Sequence, residues 1–200
     1  MNSFKFKNIL ALSPHADDVE LGCGGTMSKF KDSNIDVISF SWPHDRPDIV
    51  NEFKNSMELF KFNYELLDFP VRNLSLHRQD ILEILVKKSK QKKYDLVLCP
   101  STYDTHQDHE VICNETFRAF KKTTILGYEC PWNCKKFPTD FFIKLDKSHM
   151  NDKKKMIDCY KTQGDRTYVI KDYIFDIART RGLQVDSDFA ECFELIRGVI

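Results

Sequence analysis

The chain has 200 residues, 42% of them hydrophobic, which is enough for one domain with a full core and too little for two well-packed ones. We therefore predict a single domain over residues 1–200. Lysine plus arginine and aspartate plus glutamate number 30 each, so no net charge is present to recruit nucleic acid or an anionic membrane. The expected partner is a small molecule, and homo-oligomers are not excluded.

The cellular compartment is predicted from the N-terminus and the cysteines. The first residues lack an apolar segment followed by a small-residue cleavage site, and no later apolar run approaches the roughly 18 to 20 residues that span a bilayer. The seven cysteines are scattered without a C-x-x-C pair, as expected for free thiols in a reducing compartment. Cys130 and Cys134 have a spacing that suits a metal knuckle, but no second pair completes it. We predict a cytoplasmic protein.

Short apolar runs alternate with amphipathic stretches along the chain, as in β-α-β units of a mainly parallel sheet. In chain order, predicted strands cover residues 8–12, 36–40, 64–69, 95–99, 124–128 and 141–144. Predicted helices cover residues 26–31, 49–60, 80–90, 152–160 and 173–180. Pro14 argues against a strand continuing past residue 12, so residues 13–20 are expected to form a polar loop. A final strand over residues 189–196 is expected at a sheet edge.

These elements predict an α/β, Rossmann-like architecture: a mainly parallel sheet of order 3-2-1-4-5 flanked by helices. In that order the first and fourth strands are neighbours, and their following helices leave to opposite faces. A crevice then opens between their carboxyl ends, where ligands bind in open α/β sheets.

The first polar cluster follows the first strand at this position. His15, Asp17, Asp18 and Glu20 place one histidine and three carboxylates within six residues. A solvated acidic turn that caps the next helix is the simpler explanation, because aspartate is favoured at helix N-termini.

A second cluster follows the fourth strand, where residues 103–110 supply His106, His109 and further carboxylates, including Asp104, Asp108 and Glu110. The predicted topology makes the two clusters face each other across the crevice. Two histidines and one carboxylate with an open position are the donors of a catalytic zinc site, and the same set suits ferrous iron. A spare carboxylate can act as a general base, and a spare imidazole can stabilise an oxyanion.

At these residues the chain resembles the PIG-L/LmbE-like de-N-acetylase family. Its first motif, A-H-P-D-D-E, corresponds to residues 13–20, with Ala16 in place of proline and Val19 inserted before Glu20. Its second motif, H-x-D-H, is intact over residues 106–109. The similarity continues through residues 24–26, a K-x4-Y-x2-Q stretch over residues 155–163, residues 181–182 and residues 190–193.

The resemblance implies a zinc-dependent enzyme that removes the acetyl group from an N-acetylated amino sugar or sugar conjugate. The implied zinc ligands are His15, Asp18 and His109. The resemblance assigns to Asp17 the removal of a proton from the attacking water. His106, oriented by Asp108, would hold the oxyanion and protonate the departing amine.

One departure from the family concerns substrate binding. Members commonly carry an arginine three residues before a glutamate on the helix after the second strand; Glu52 matches the glutamate, but Ile49 occupies the arginine's place. Arg46, Arg72 or Arg78 could supply the missing guanidinium to a sugar hydroxyl or a phosphate. Three aromatic residues could stack on a sugar face, although such residues are more often core: Trp42, Tyr128 and Trp132.

Three other functions are compatible with parts of this sequence. A nucleotide-binding protein is disfavoured because the glycines begin ten residues after Leu12, form no G-x-G-x-x-G pattern and follow an acidic loop that would repel a pyrophosphate. A non-catalytic metal-binding protein of the same fold would not need Asp17 or His106. The third alternative is metal-dependent hydrolysis of another bond, such as an ester or a phosphoester. Two-metal phosphoesterases need additional bridging carboxylates, and Asp104 and Glu110 are the only nearby spares, so an amidase with one metal ion is favoured.

Overall fold

The computed structural model describes residues 6–164, 166 and 173–199. Within this part of the chain seven strands form a single sheet. The strands are β1 Asn8–His15, β2 Asn34–Ser41, β3 Asn63–Phe69, β4 Leu96–Pro100, β5 Thr124–Tyr128, β6 Phe141–Leu145 and β7 Phe189–Arg197. The helices are α1 Asp18–Lys29, α2 Asp48–Leu59, α3 Arg78–Gln91, α4 Gln107–Ala119, α5 Lys147–Ile157 and α6 Tyr173–Leu183. None of these described helices is long and apolar enough to cross a bilayer.

The strand order is β3-β2-β1-β4-β5-β7-β6, which confirms the predicted order of the first five strands. Those five are parallel, whereas β7 pairs antiparallel with both β5 and β6. The prediction of an edge strand over residues 189–196 is therefore wrong. Residues Phe189–Glu194 are buried without alternation, as expected for a strand with neighbours on both sides and helices over its face.

Two apolar layers cover the two faces of the sheet. Alternate residues of β1 point to opposite faces, so Ile9 and Ala11 join one layer while Leu10 and Leu12 join the other. Helices α1, α2 and α5 cover the first layer, and α3 and α4 cover the second. The helices that follow β1 and β4 thus lie on opposite faces, as predicted, and the crevice opens between them.

The junction between β1 and α1 differs from the prediction. β1 continues through Pro14 to His15, which pairs with Ser41 of β2, and α1 begins at Asp18 rather than near residue 26. Proline is tolerated here because the ladder at this strand end needs no donor from it, while its carbonyl accepts a hydrogen bond from Ser41 Oγ at 2.8 Å. Only Ala16 and Asp17 lie between strand and helix, so the polar cluster is held by regular structure.

The glycine-rich segment lies inside α1 instead of preceding it. A Cβ atom at Gly22 would lie 2.3 Å from Cδ2 of Tyr128, and one at Gly25 would lie 2.6 Å from Cδ1 of Leu145. These glycines therefore permit close packing of the helix on the sheet. The helix kinks at Cys23, where φ is −142°, so its second half begins anew at the glycines.

Candidate active site

The two polar clusters meet at the carboxyl ends of β1 and β4. His15 ends β1, Asp18 opens α1, and His109 lies in the first turn of α4. The Nδ1 of His15 lies 3.1 Å from Oδ2 of Asp18, which lies 3.2 Å from Nε2 of His109. The two nitrogens are 3.4 Å apart. One carboxylate oxygen and two imidazole nitrogens therefore converge on a common point, and we call these residues the triad.

Each of the two triad imidazoles also contacts one further carboxylate through its other ring nitrogen. Oδ2 of Asp108 lies 3.0 Å from Nε2 of His15, and Oδ2 of Asp104 lies 2.7 Å from Nδ1 of His109. Both carboxylates are buried. A carboxylate behind a histidine fixes the ring and places a proton on the far nitrogen, so the near nitrogen can act as a ligand.

Asp108 contacts His15 through its side chain and His106 through its main chain. Its carboxylate contacts His15 and accepts from the backbone N–H groups of Arg72 at 2.6 Å and Leu74 at 3.2 Å. Only its backbone N–H reaches His106, donating to Nδ1 at 3.2 Å. Asp108 thus orients His106 through the main chain, because the side chain is taken up by His15 and the loop after β3.

His106 precedes α4 as its N-cap and stands beside the triad. Its ring centroid is 4.8 Å from that of His15 and 4.8 Å from that of His109. Because Nδ1 accepts a hydrogen bond, the proton of the neutral ring is on Nε2. Burial, together with the neighbouring His109 and His15, lowers the pKa of His106 and favours this neutral form. The residue is therefore an N–H donor.

The electrostatics of the triad suit a cation. Burial opposes the protonated form of His15, but Asp18 and Asp108 outweigh it and raise the pKa of His15 to about 9. Despite burial, His109 and His15 lower the pKa of Asp18. The carboxylates around the triad therefore stabilise a positive charge between the three donor atoms.

The donor spacing also fits a single metal ion. Ligand atoms about 2.1 Å from one ion lie roughly 3.0 to 3.4 Å apart at tetrahedral or octahedral angles. The observed separations of 3.1, 3.2 and 3.4 Å match this range. Among the residues that the structure describes, two other groups have donor atoms within 4.8 Å of one another: His15 with His106 and His109, and Asp18 with His109 and Cys130.

Asp17 is held in a strained conformation beside the triad. Its φ of 129° and ψ of −19° are sparsely populated for a residue with a side chain, and such strain is concentrated at functional sites. The residue is only 8% exposed and lines the pocket above the triad. Burial, then the charges of Asp18 and Glu20, raise its pKa well above the usual value.

A pocket of about 720 Å³ opens above these residues at the carboxyl ends of β1–β5. Arg46 and Arg72 line it, but Arg78 does not, because its guanidinium forms a 2.6 Å ion pair with buried Glu115. The interpretation of Arg78 as a substrate-binding residue is therefore corrected. Among the aromatic candidates, Trp42 and Trp132 line the pocket, whereas Tyr128 is a fully buried core residue.

Some pocket residues were not identified from the sequence. Asn133, Gln163 and Arg166 line the pocket, and Asp104 holds His109. Asp104 stands in the second cluster, where the sequence indicates only a spare carboxylate and no contact with His109. Gln163 ends the K-x4-Y-x2-Q stretch, which is the one signal that marked this segment, and Arg166 follows three residues later.

Comparisons with known proteins agree with this architecture. No family model matches the sequence. The uncharacterized deacetylase YaiS of Escherichia coli K12 is 25% identical over 162 residues, covering 74% of this chain and 88% of the relative. N,N'-diacetylchitobiose deacetylase from Pyrococcus horikoshii superposes with a TM-score of 0.74 at 19% identity, covering 94% of this chain and 83% of that chain. The chain has the fold of the PIG-L/LmbE-like deacetylases.

The same fold also occurs in an enzyme of another class. GalB, the 4-carboxy-2-hydroxymuconate hydratase from Pseudomonas putida KT2440, has a TM-score of 0.79 and 17% identity, covering 97% of this chain and 98% of that chain. Because one fold can carry different reactions, the PIG-L-like fold does not by itself assign the chemistry. The reaction must be argued from the triad and the residues around it.

Proposed function

We propose that this protein is a metal-dependent N-deacetylase that hydrolyses the acetamide of an N-acetylated amino sugar or sugar conjugate. The observation that carries the proposal is the convergence of His15 Nδ1, Asp18 Oδ2 and His109 Nε2 within 3.4 Å of one another. The similarity to YaiS and the fold shared with a chitobiose deacetylase support the choice of reaction.

His15, Asp18 and His109 are the residues we propose as metal ligands, with Zn²⁺ as the expected ion and Fe²⁺ as the alternative. A bound divalent cation supplies Lewis acidity, which polarises a carbonyl group and makes water a better nucleophile near neutral pH. Asp104 and Asp108 keep the two imidazoles in the orientation that this role needs.

Asp17 is proposed as the general base. Its strained backbone and its place in the pocket lining hold the carboxylate next to the triad, where it takes a proton from the attacking water. Attack forms the C–O bond and places negative charge on the carbonyl oxygen. As the C–N bond breaks, the nitrogen takes up a proton, so the products are acetate and the free amine.

His106 is proposed to stabilise the charge that develops on the carbonyl oxygen. Its Nδ1 is occupied by the backbone N–H of Asp108, which leaves the Nε2–H as the donor. A fixed donor of this kind acts mainly in the transition state and requires little reorganisation. The same group can deliver a proton toward the departing amine, as the family resemblance implies.

The substrate is proposed to be a small molecule in the cytoplasm. Balanced charge argues against nucleic acid or an anionic membrane as the partner. All seven cysteines are free, which supports a reducing compartment.

The test is acetate release from a panel of N-acetylhexosamine conjugates, measured on the purified protein before chelation, after it, and after reloading with Zn²⁺ or Fe²⁺. We expect turnover to vanish on chelation and to return with metal. His15→Ala should lose both bound metal and turnover, whereas His77→Ala, a histidine outside the pocket, should lose neither. Full turnover after chelation, or no acetate from any conjugate by the reloaded protein, would contradict the proposal.

A further inference from the structure

Cys130 follows β5 and lies beside two members of the triad. In the strand order β5 is the neighbour of β4, so the segment after β5 reaches the same end of the sheet as His109. The sulfur of Cys130, a carboxylate oxygen of Asp18 and a ring nitrogen of His109 all lie within 4.8 Å of one another. A sulfur, an oxygen and a nitrogen donor therefore surround one position that the proposed function does not use.

The turn that carries Cys130 is fastened to the loop that supports His109. Thr105 donates to the carbonyl oxygen of Asn133 through its backbone N–H at 3.2 Å and through its hydroxyl at 2.7 Å. The side-chain amide of Asn133 donates to Oδ2 of Asp104 at 3.4 Å, and that oxygen also contacts His109. The backbone N–H of Asn133 donates to the carbonyl oxygen of Cys130 at 2.9 Å and closes the turn. The fold therefore sets the position of Cys130 relative to His109.

Cys130 lies below the pocket and not in its wall. Its exposure is 0%. The preceding residue, Glu129, is anchored by two hydrogen bonds from the guanidinium of Arg181, at 2.6 and 3.1 Å. Among the residues that the structure describes, the triad lines the pocket of about 720 Å³ and Cys130 does not. An ion drawn toward the sulfur would therefore lie beneath the floor of the pocket.

The spacing of these three donors requires only a small movement to hold one ion. A sulfur and a nitrogen or oxygen that bind the same tetrahedral zinc ion lie about 3.6 Å apart. The observed separations are at most 4.8 Å. Rotations of roughly 30° or less about the side-chain bonds of Cys130 and Asp18, which cost little rotamer energy, together cover the difference. The backbone does not have to rearrange.

The sulfur changes which ions the donors prefer. Thiolate ligands select soft, thiophilic ions, whereas imidazole and carboxylate also suit harder ions such as Fe²⁺. The triad offers only nitrogen and oxygen, while the group with Cys130 adds sulfur. Asp18 and His109 belong to both groups, so an ion bound near Cys130 competes with an ion bound by the triad.

We propose that Asp18, His109 and Cys130 form a second metal-binding position, which takes a thiophilic divalent cation below the pocket and excludes the ion of the triad. On binding, the S–H bond of Cys130 breaks, a sulfur–metal bond forms, and the proton passes to solvent. The bound ion lies away from the space that the substrate enters, so it inhibits the hydrolysis. Inhibition rests on the proposed function, whereas the binding itself does not.

The test titrates the metal-free protein with Cd²⁺, a thiophilic ion, and records the sulfur-to-cadmium charge-transfer absorption in the ultraviolet. We expect a band that saturates at one equivalent in the wild type. Cys130→Ser should lose the band and bind Cd²⁺ about tenfold or more weakly, since even the loss of a ligand's hydrogen-bond partner has this effect. His109→Ala should lose the band too. His15→Ala should keep it, because His15 belongs to the triad alone.

A control variant separates Cys130 from the other thiols. The double variant Cys134→Ser, Cys159→Ser removes the two cysteines that are only partly buried and should keep the band. A wild type without the band, or a band that depends on Cys134 or Cys159 and survives Cys130→Ser, would overturn the proposal. If Cys130→Ser does not fold, the histidine variants still decide, because a band that survives His109→Ala contradicts the proposed ligands.

Inhibition is measured separately on the zinc-loaded protein. Cd²⁺ should inhibit acetate release by the wild type at concentrations about tenfold lower than those needed for Cys130→Ser. Equal inhibition of the two proteins would show that the second position does not exclude the triad ion, which contradicts the proposal. If no conjugate releases acetate, the proposed function fails, while the absorption titration still decides whether this metal position exists.

Discussion

The two halves of α1 hold buried carboxylates in contrasting ways. At the first half, Oδ2 of Asp18 is shared by the backbone N–H of His15, at 2.8 Å, and by two imidazoles. At the second half, after the kink, Glu191 accepts from the backbone N–H groups of Gly25 at 3.0 Å and Thr26 at 2.6 Å. The Nζ of Lys153 completes that site at 2.6 Å from Oε1 of Glu191.

Burial of charge alone does not distinguish the two sites. Asp17, Asp18 and Glu191 are 8%, 6% and 6% exposed. Glu191 has a cation and two backbone donors, so its charge is balanced inside the fold. Glu191 and Lys153 line only a small cavity of about 30 Å³, whereas Asp17 and Asp18 line the pocket of about 720 Å³, and Asp17 is strained. The contrast teaches that strain and donor atoms beside a cavity indicate chemistry, whereas fully paired charge indicates a structural role.

The largest expected effect is the loss of kcat on substitution of Asp17. Asp17→Asn should lower kcat about 10²- to 10⁴-fold, because the amide cannot accept the proton of water, while bound metal is retained. Acetate release and metal content by elemental analysis check this. If Asp17 were a structural residue like Glu191, the substitution would change unfolding free energy and leave kcat per folded molecule intact.

The second prediction concerns the stability that the Lys153–Glu191 pair provides at the second half of α1. Lys153→Met should cost about 3–5 kcal/mol of unfolding free energy, because it leaves the Glu191 charge buried without its cation. Urea titration measures the loss, and the double variant Lys153→Met, Glu191→Gln should recover part of it. If Lys153→Met kept its stability but lost turnover, the pair would belong to the active site, and the distinction between the two halves of α1 would be wrong.

His106 should show an intermediate effect on rate. His106→Ala should lower kcat about 10²- to 10³-fold with little change in KM, since an oxyanion contact acts chiefly in the transition state. Because the residue also caps α4, the variant should lose about 1 kcal/mol of stability. His106→Asn retains a capping oxygen and separates the two roles. A higher KM with unchanged kcat would instead assign His106 to substrate positioning.

The smallest effect is expected at Asp104, which contacts His109, and it concerns metal affinity. Asp104→Asn should lower metal affinity about 10- to 100-fold, because a neutral amide holds the imidazole more weakly than a carboxylate does. Competition with a chelating dye measures the affinity. Glu110→Gln, an exposed carboxylate on the same helix, is the matched control and should not change it. Equal affinity in wild type and Asp104→Asn would show that the Asp104 contact is only structural.

Local sequence patterns predict much of the fold. The two wrong helix starts, those of α1 and α5, have the same cause. The first five strands were predicted in the correct order, but the start of α1 was missed because Gly22–Gly25 resemble a loop until Tyr128 and Leu145 are packed against them. Likewise, α5 begins five residues earlier than predicted because Asp146 caps it through hydrogen bonds to the backbone of Ser148 and His149. The sequence contains these residues, but their contacts become informative only in the folded chain.

The amino-acid sequence alone is enough to predict that a histidine and carboxylate cluster follows each of two neighbouring parallel strands. Apolar periodicity encodes the strands, and the handedness of β-α-β units brings their carboxyl ends together. Which atoms of the two clusters face each other depends on how the whole chain packs. Asp108 meets His15 across 93 positions of sequence, and its oxygens hold Arg72 and Leu74, 36 and 34 positions away. Hydrogen-bond partners this distant are selected by packing, which no local pattern records.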